Sequence, residues 1–105
     1  MSAKLLQVNC KFTGTRIEYE AANLPWAQPI ADRPGLRWKI WLMNAADGEA
    51  GGIVLFDDDA SRQAYVDDLL TEPDPSISHM SIKRFDVLDE HSAITRGPVL
   101  ESVPV

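Results

Sequence analysis

Aromatic side chains with a polar tip are the first residues of this sequence that could do chemistry. Trp26, Trp38 and Tyr65 each combine a flat apolar body with an N–H or O–H donor. The pattern predicts that they line one cleft between helices and sheet, a substrate-binding site for a small, largely apolar ligand. The alternative is a plain hydrophobic core, because aromatic residues dominate the cores of small domains.

Few residues offer acid–base chemistry near neutral pH. Tyr65, His79 and Asn9 are the candidates for catalysis: two as hydrogen-bond donors, and the histidine as a base because imidazole titrates near neutral pH. His79 follows a proline-rich loop, so an exposed histidine without a role is the alternative. His91 is predicted at the surface and Cys10 in the core. Cys10 and the two histidines have no recognisable ligand spacing, so no metal site is expected.

Two tryptophans lie three residues apart in one predicted strand. Strand side chains alternate between faces, so Trp38 and Trp41 should point to opposite faces of the sheet. Trp38 has the parity of Leu36 and is predicted to face the helices. Trp41, with Arg37 and Lys39 beside it, is predicted to face a second copy of the chain in a homodimer. Solvent exposure is the alternative for Trp41.

Hydrophobic periodicity and turn residues divide the chain into six elements. The order β-α-β-β-α-β is that of a ferredoxin-like α+β domain, a four-stranded antiparallel sheet with two helices on one face. One domain is expected over residues 1–105, in which 88–105 form an extended arm. The predicted elements are strands at 5–12, 36–43, 49–56 and 77–87, and helices at 17–32 and 60–70.

Three short motifs are assigned to structure. Pro25 and Pro29 predict a broken first helix, since an interior proline costs ~3 kcal/mol or more. The three carboxylates at 57–59 are predicted to cap the second helix rather than to hold a metal. Gly51 and Gly52 are predicted to let a neighbouring chain segment approach the backbone of the third strand closely.

Charge and composition exclude several classes of function. The net charge of -6 argues against binding to nucleic acid or to an anionic membrane surface, both of which call for a basic face. The single cysteine allows no intrachain disulfide. There is no signal-peptide pattern and no apolar run near the ~20 residues of a membrane span. These features predict a cytoplasmic protein.

Five short blocks of the chain carry a family resemblance. They are Leu5-Leu6-Gln7, Pro34-Gly35-x-x-Trp38-Lys39-x-Trp41, Glu49-Ala50-Gly51-Gly52-Ile53-x-Leu55-Phe56, Ala64-Tyr65 and Lys83-x-Phe85-Asp86-Val87. Together they resemble the YdhR-type monooxygenase family over nearly the whole chain. The Trp-Lys-x-Trp and Glu-Ala-Gly-Gly blocks, in that order and spacing, are the most specific part.

The resemblance implies a dimeric α/β barrel of the antibiotic-biosynthesis-monooxygenase-like superfamily, in which two protomers pack sheet against sheet. It also implies a monooxygenase that oxidises a small aromatic or quinol-like compound with O₂ and no cofactor. The deprotonated substrate itself donates an electron to O₂, so the protein supplies an apolar cavity, a proton acceptor and a donor. The alternatives are a non-catalytic small-molecule-binding or interaction module and, third, a haem-handling protein, which needs a histidine in the cleft.

Overall fold

Residues 3–71 and 74–99 of a computed structural model describe the fold of the chain. Four strands and two long helices follow one another in the predicted order, with a short 3₁₀ turn at Ala45–Asp47 between the second and third strands. A short C-terminal helix, which was not predicted, comes after them. The elements are β1 (Lys4–Phe12), α1 (Arg16–Ala31), β2 (Leu36–Asn44), β3 (Glu49–Phe56), α2 (Asp59–Thr71), β4 (Ile77–Asp86) and α3 (Asp89–Ile94).

The four strands form one antiparallel sheet in the order β2-β3-β1-β4. Both α1 and α2 pack on one side of it, which we call the helix face; the other side is the open face. The predicted ferredoxin-like α+β fold is therefore confirmed. The edge strands are β2 and β4, so the two glycines of β3 lie inside the sheet.

Apolar side chains form one cluster on each face of the sheet. The helix-face cluster joins β1 and β3 to α2 and contains Leu6, Val8, Val54, Phe56, Tyr65 and Val66, with Ile30 of α1 packed against it. The open-face cluster contains Ala3, Leu55, Val87 and Val99, with Leu5 and Trp38 packed against it. Cys10 is buried, as predicted. Burial alternates along β1, because its even-numbered residues from 6 to 10 are the buried ones.

A bulge at the start of β2 reverses the faces predicted for this strand. Leu36 pairs with Phe56 and Trp38 with Leu55, so two steps along β2 match one step along β3 and Arg37 is the extra residue. After the bulge, Trp38 lies on the open face, although it has the parity of Leu36, which packs on the helix face. The prediction that Trp38 faces the helices and Trp41 faces away is therefore wrong.

Helix α1 is continuous, although it contains Pro25 and Pro29. A proline removes the hydrogen bond to the carbonyl four residues earlier. The two prolines are four residues apart and hence on one side of the helix, and both are exposed. The carbonyls that they leave without a partner on that side are open to water. The predicted break in this helix is therefore wrong.

Side chains cap both long helices. At α1 the Thr15 hydroxyl accepts from the Glu18 backbone N–H at 3.1 Å, and the Glu18 carboxylate accepts from the Thr15 N–H at 3.0 Å. At α2 the Asp58 carboxylate accepts from the Ser61 N–H at 2.8 Å, and this bond lowers the pKa of Asp58. The predicted capping of α2 by its preceding carboxylates is confirmed.

The segment predicted as an extended arm begins with a helix. Residues Asp89–Ile94 form α3, and the chain then turns back toward the sheet. Val99 packs in the open-face cluster beside Val87, and the indole N–H of Trp38 donates to the Pro98 carbonyl at 2.7 Å. This contact holds the segment against the open face. Residues 100–105 of the predicted arm lie outside the described residues.

Candidate functional site

A small cleft lies between the C-terminal half of α1 and the edge strand β2. Its volume is about 150 Å³, below the ~300–1,000 Å³ of drug-sized ligand sites and similar to the ~150 Å³ apolar cavity that holds one benzene ring. The helix contributes apolar side chains, and the strand contributes the charged and aromatic ones. The lining residues are Ala27, Ile30, Ala31, Leu36, Arg37, Trp38, Lys39 and Trp41.

Lys39 is one of the two charged residues that line this site. Lys39 pairs with Val54 and Trp41 with Gly52, which places both side chains on the helix face. Lys39 Nζ donates to the Tyr65 hydroxyl at 3.0 Å and lies 3.5 Å from the centroid of the Trp41 ring. The ammonium is therefore held by one oxygen and one aromatic face.

No carboxylate in residues 3–71 and 74–99 forms an ion pair with Lys39. The other cations that are buried or half-buried there each have one: Lys4 with Asp86, Arg33 with Asp68, Arg37 with Asp57 and Arg62 with Asp59. Burial lowers the pKa of Lys39 to about 8, because removal from water disfavours the ammonium form. A substantial fraction of neutral amine is therefore accessible slightly above neutral pH.

Tyr65 stands behind Lys39 rather than in the cleft. Its side chain is buried, with its ring centroid 5.6 Å from that of Phe56 and 5.2 Å from the Arg33 guanidinium carbon. Burial raises the pKa of Tyr65 to about 12, so its hydroxyl keeps its proton. The tyrosine is suited to orient the Lys39 amine.

The glycines of β3 make room for this arrangement. A Cβ on Gly52 would lie 2.9 Å from Lys39 Cε, so the missing side chain leaves room for the lysine stem on the helix face. A Cβ on Gly51 would lie 2.0 Å from the Val8 carbonyl oxygen of β1. The predicted close approach to the backbone of β3 is confirmed at both positions.

Of the other predicted substrate-binding and catalytic residues, Trp38 is among the residues that line the cleft, whereas Trp26, Asn9 and His79 are not. Trp26 is 55% exposed on α1 and is not among the cleft-lining residues. The Trp38 side chain packs with the open-face cluster. Asn9 pairs with Gly51, on the face opposite to the buried Val8 and Cys10. Of the three residues that were predicted to line one cleft, Trp38 lines the cleft described here, and Trp26 and Tyr65 do not.

His79 and Arg37 occupy structural positions. His79 is exposed in β4, at an irregularity in its pairing with β1, and has a left-handed backbone with φ 53°; its Nδ1 lies 3.0 Å from the Ser78 hydroxyl. Arg37 pairs with Asp57 and donates to the Val99 carbonyl. Neither histidine lines the cleft; His91, in α3, is exposed as predicted.

The positions of two cations, Lys39 and Arg62, were not predicted from the sequence. Lys39 was assigned to an interface because the bulge has no signal in the alternation of β2. Arg62 is a charged residue of a kind that is rarely buried, yet it is 7% exposed and donates to the carbonyls of Leu5 and Phe85. The spacing of Arg62, Tyr65, Val66 and Leu69 on α2 is the helical signal that could have placed Arg62 on the inward side.

The comparison with known families is decisive for identity. The family model described as "Putative mono-oxygenase ydhR" matches residues 5–98. The chain belongs to the ydhR family. The predicted family is thus confirmed. No curated protein sequence matches this ydhR-family chain.

Solved structures with the same fold include a cofactor-independent oxygenase and a haem-degrader. SnoaB, a cofactor-independent oxygenase from Streptomyces nogalater, has TM-score 0.64 and 15% identity over 84% of this chain and 95% of its own. The haem-degrader MhuD from Mycobacterium tuberculosis, solved with two haems in its active site, has TM-score 0.62 and 16% identity over 80% and 95%. At this identity, the likeness shows that the ydhR-family chain shares their fold.

A third similar structure is a Nitrosomonas europaea protein of unknown function. It has TM-score 0.63 and 18% identity over 100% of this chain and 97% of its own.

In the described part of the chain, no helix is long and apolar enough to cross a membrane. Within residues 3–71 and 74–99 there is also no group of three or more His, Cys, Asp or Glu side chains placed to hold a metal ion.

Proposed function

We propose that this protein is a cytoplasmic, homodimeric, cofactor-independent monooxygenase that oxidises a small aromatic or quinol-like compound in the cleft between α1 and β2. Membership of the ydhR family supports a monooxygenase-type activity. The observation that carries the proposal is Lys39, which lines the cleft opposite the apolar side chains of α1 and has no carboxylate partner in the described residues.

The reaction balances without an external reductant. A hydroquinone supplies every electron that O₂ needs: one oxygen atom enters the ring, the other leaves as water, and the product is a hydroxyquinone. The protein has to bind the ring, remove the hydroxyl proton and keep water from the activated substrate. The side chains of Ala27, Ile30 and Leu36 would pack on the ring, while Trp41 would close one side of the cleft.

Oxygen uptake tests the proposal directly. Protein stripped of metal and flavin should consume O₂ with at least one member of a panel of hydroquinones and phenols, and heat-denatured protein should not. Isotopically labelled O₂ should place one heavy oxygen atom in the product and one in water. The absence of uptake with every substrate would contradict the activity. Uptake that stops after chelation would contradict the cofactor-independent mechanism.

The open face supports the homodimer. Ile40 and Phe85 are 50% and 45% exposed on this face, where Ile40 pairs with Ile53 and Phe85 with Leu5. Within residues 3–71 and 74–99, the segment that carries Val99 covers one end of this face. Apolar side chains grouped on one exposed sheet face favour burial against a second copy. The proposed interface is therefore the open face, opposite to the helix face on which Trp41 and Lys39 lie.

Sedimentation of two matched variants tests the dimer. Ile40→Glu places a charge on the open face and should shift the protein to monomers. Leu24→Glu places the same charge on α1, where the leucine is 74% exposed, and should leave the dimer intact. Equal behaviour of the two variants would show that the open face is not the interface.

A non-catalytic module that binds a small molecule is the second candidate. It is favoured by the positions of Asn9 and His79, which place neither predicted catalytic group in the cleft. Ligand binding without oxygen uptake would select this function. Haem handling is tested by titration with haemin, and an unchanged Soret band would remove it.

A further inference from the structure

Lys39 is a half-buried cation for which the described residues provide no counter-ion. The chain has 16 acidic residues against 10 Lys and Arg, so carboxylates are abundant. Yet Lys39, half-buried in β2, has no carboxylate in ion-pair distance among the described residues, whereas the other half-buried cations do. A buried charge without a partner is costly, so the site is suited to an anion that comes from outside.

The surroundings restrict what this anion can be. The helix side of the cleft consists of Ala27, Ile30 and Ala31, and its volume of about 150 Å³ accommodates one aromatic ring. These alanine and isoleucine side chains offer no hydrogen bond to a hydrated inorganic anion. A flat organic ring that carries one acidic oxygen matches both the walls and the amine.

We propose that the cleft binds a single-ring phenol or enol as its oxyanion, with Lys39 as the base that takes the proton and as the counter-ion that then holds the oxygen. The inference rests on the proposed function and narrows its substrate class. In the step, the substrate O–H bond breaks, its electron pair stays on the oxygen, and the proton binds the neutral amine. No electron is transferred at this stage.

The neighbours of Lys39 are arranged for this role. The Tyr65 hydroxyl, 3.0 Å away, and the Trp41 ring hold the amine in place from two sides. The titratable groups that act on Lys39 and Tyr65 are Cys10 of β1, Arg33 after α1 and Tyr19 of α1. The lowered pKa of Lys39 supports the role of a base near neutral pH. Tyr65 is here a positioning residue.

Binding of 4-nitrophenol in the absence of O₂ tests the inference, because its phenolate is yellow and its phenol is not. The wild-type protein should bind it as the phenolate and lower its apparent pKa. Lys39→Met should weaken binding by about tenfold or more, since the lost bond joins two charged groups. Lys11→Met, at an exposed lysine of β1, should bind like wild type.

Two further arms check the ligand chemistry. Nitrobenzene has the same ring without the acidic hydroxyl and should bind weakly, with equal affinity for wild type and Lys39→Met. The two-ring analogue 4-nitro-1-naphthol should bind the wild type less tightly than 4-nitrophenol. Lys39→Gln repeats the test with a polar side chain, and thermal unfolding confirms that each variant is folded.

The outcomes separate this inference from the proposed function. Unchanged binding of 4-nitrophenol by Lys39→Met and Lys39→Gln, or a bound dye that stays colourless, would overturn the inference. Oxygen uptake that persists in both lysine variants would leave the monooxygenase standing without this role of Lys39. Phenolate binding that depends on Lys39, without oxygen uptake by any phenol, would support the inference and contradict the monooxygenase.

Discussion

Side chains alternate between the two faces without interruption along β1, whereas a bulge interrupts this alternation in β2. On β1, pairing with β3 is regular from Lys4 to Lys11, and each buried residue is two positions from the next. On β2, one extra residue between Leu36 and Trp38 turns every later side chain to the other face. One bulge therefore decides which of the two tryptophans lies on the helix face beside Lys39.

The consequence extends to the charge of the site. Because of the bulge, Lys39 points into the protein rather than out of it, beside Tyr65 and Trp41. A regular β2 would place Trp38 there instead, and the cleft would have an indole in place of an amine. The same bulge places Arg37 where it pairs with Asp57, so the extra residue has a partner of its own.

The largest effect is expected where β3 is closest to the regular strand β1. Gly51→Ala would bring a Cβ to 2.0 Å from the Val8 carbonyl oxygen, and backbone cannot move aside as a side chain can. We expect a loss of about 3 kcal/mol or more in the free energy of unfolding, measured by urea denaturation. Gly52→Ala meets the flexible Lys39 Cε at 2.9 Å and should cost about 1 kcal/mol. An equal cost at both glycines would show that β1 does not approach β3 in this way.

A smaller effect should distinguish the two tryptophans. Trp38 packs in the open-face cluster and donates to the Pro98 carbonyl, so Trp38→Ala should lower the free energy of unfolding by about 2–3 kcal/mol. Trp41 is 38% exposed, and Trp41→Ala should cost about 1 kcal/mol. Denaturation at one protein concentration measures both. The reverse order would mean that β2 has no bulge.

The smallest effect concerns the pH dependence of stability. The pKa of Lys39 falls from 10.5 to about 8 on folding, so above pH 8 the unfolded chain binds a proton that the folded chain has released. The free energy of unfolding should therefore rise with pH, by about 1–2 kcal/mol near pH 9.5, relative to Lys39→Met. Urea denaturation at pH 7 and about pH 9.5 measures this difference.

Two other buried groups change the stability with pH in the opposite direction, so the effect of Lys39 has to be measured relative to Lys39→Met. Burial raises the pKa of the Cys10 thiol and that of Tyr65, so the folded chain keeps their protons longer and loses stability as pH rises further. Both groups are present in the variant as well. Lys11→Met, in which the exposed pair with Glu49 is lost, should follow the wild type. A wild-type curve parallel to that of Lys39→Met would contradict the position of Lys39.

Much of the fold was predictable because its signals are local. Strand and helix order, the faces of β1 and the cap at Asp58 all follow from residues near one another in sequence. Of the candidate site, Tyr65 was predicted to lie inward on α2, and it does. Its partner Lys39 was not predicted for the site, because its face depends on how β2 pairs with β3.

The sequence by itself determined the family, the order of the elements and the pattern of β1. These follow from side-chain chemistry and from a period of two, which holds as long as strand pairing has no interruption. Only the tertiary structure decided that Arg37 is an extra residue and that α1 remains continuous through two prolines. The physical reason is that a bulge forms against a strand distant in sequence, and a helix tolerates lost hydrogen bonds where its side is open to water.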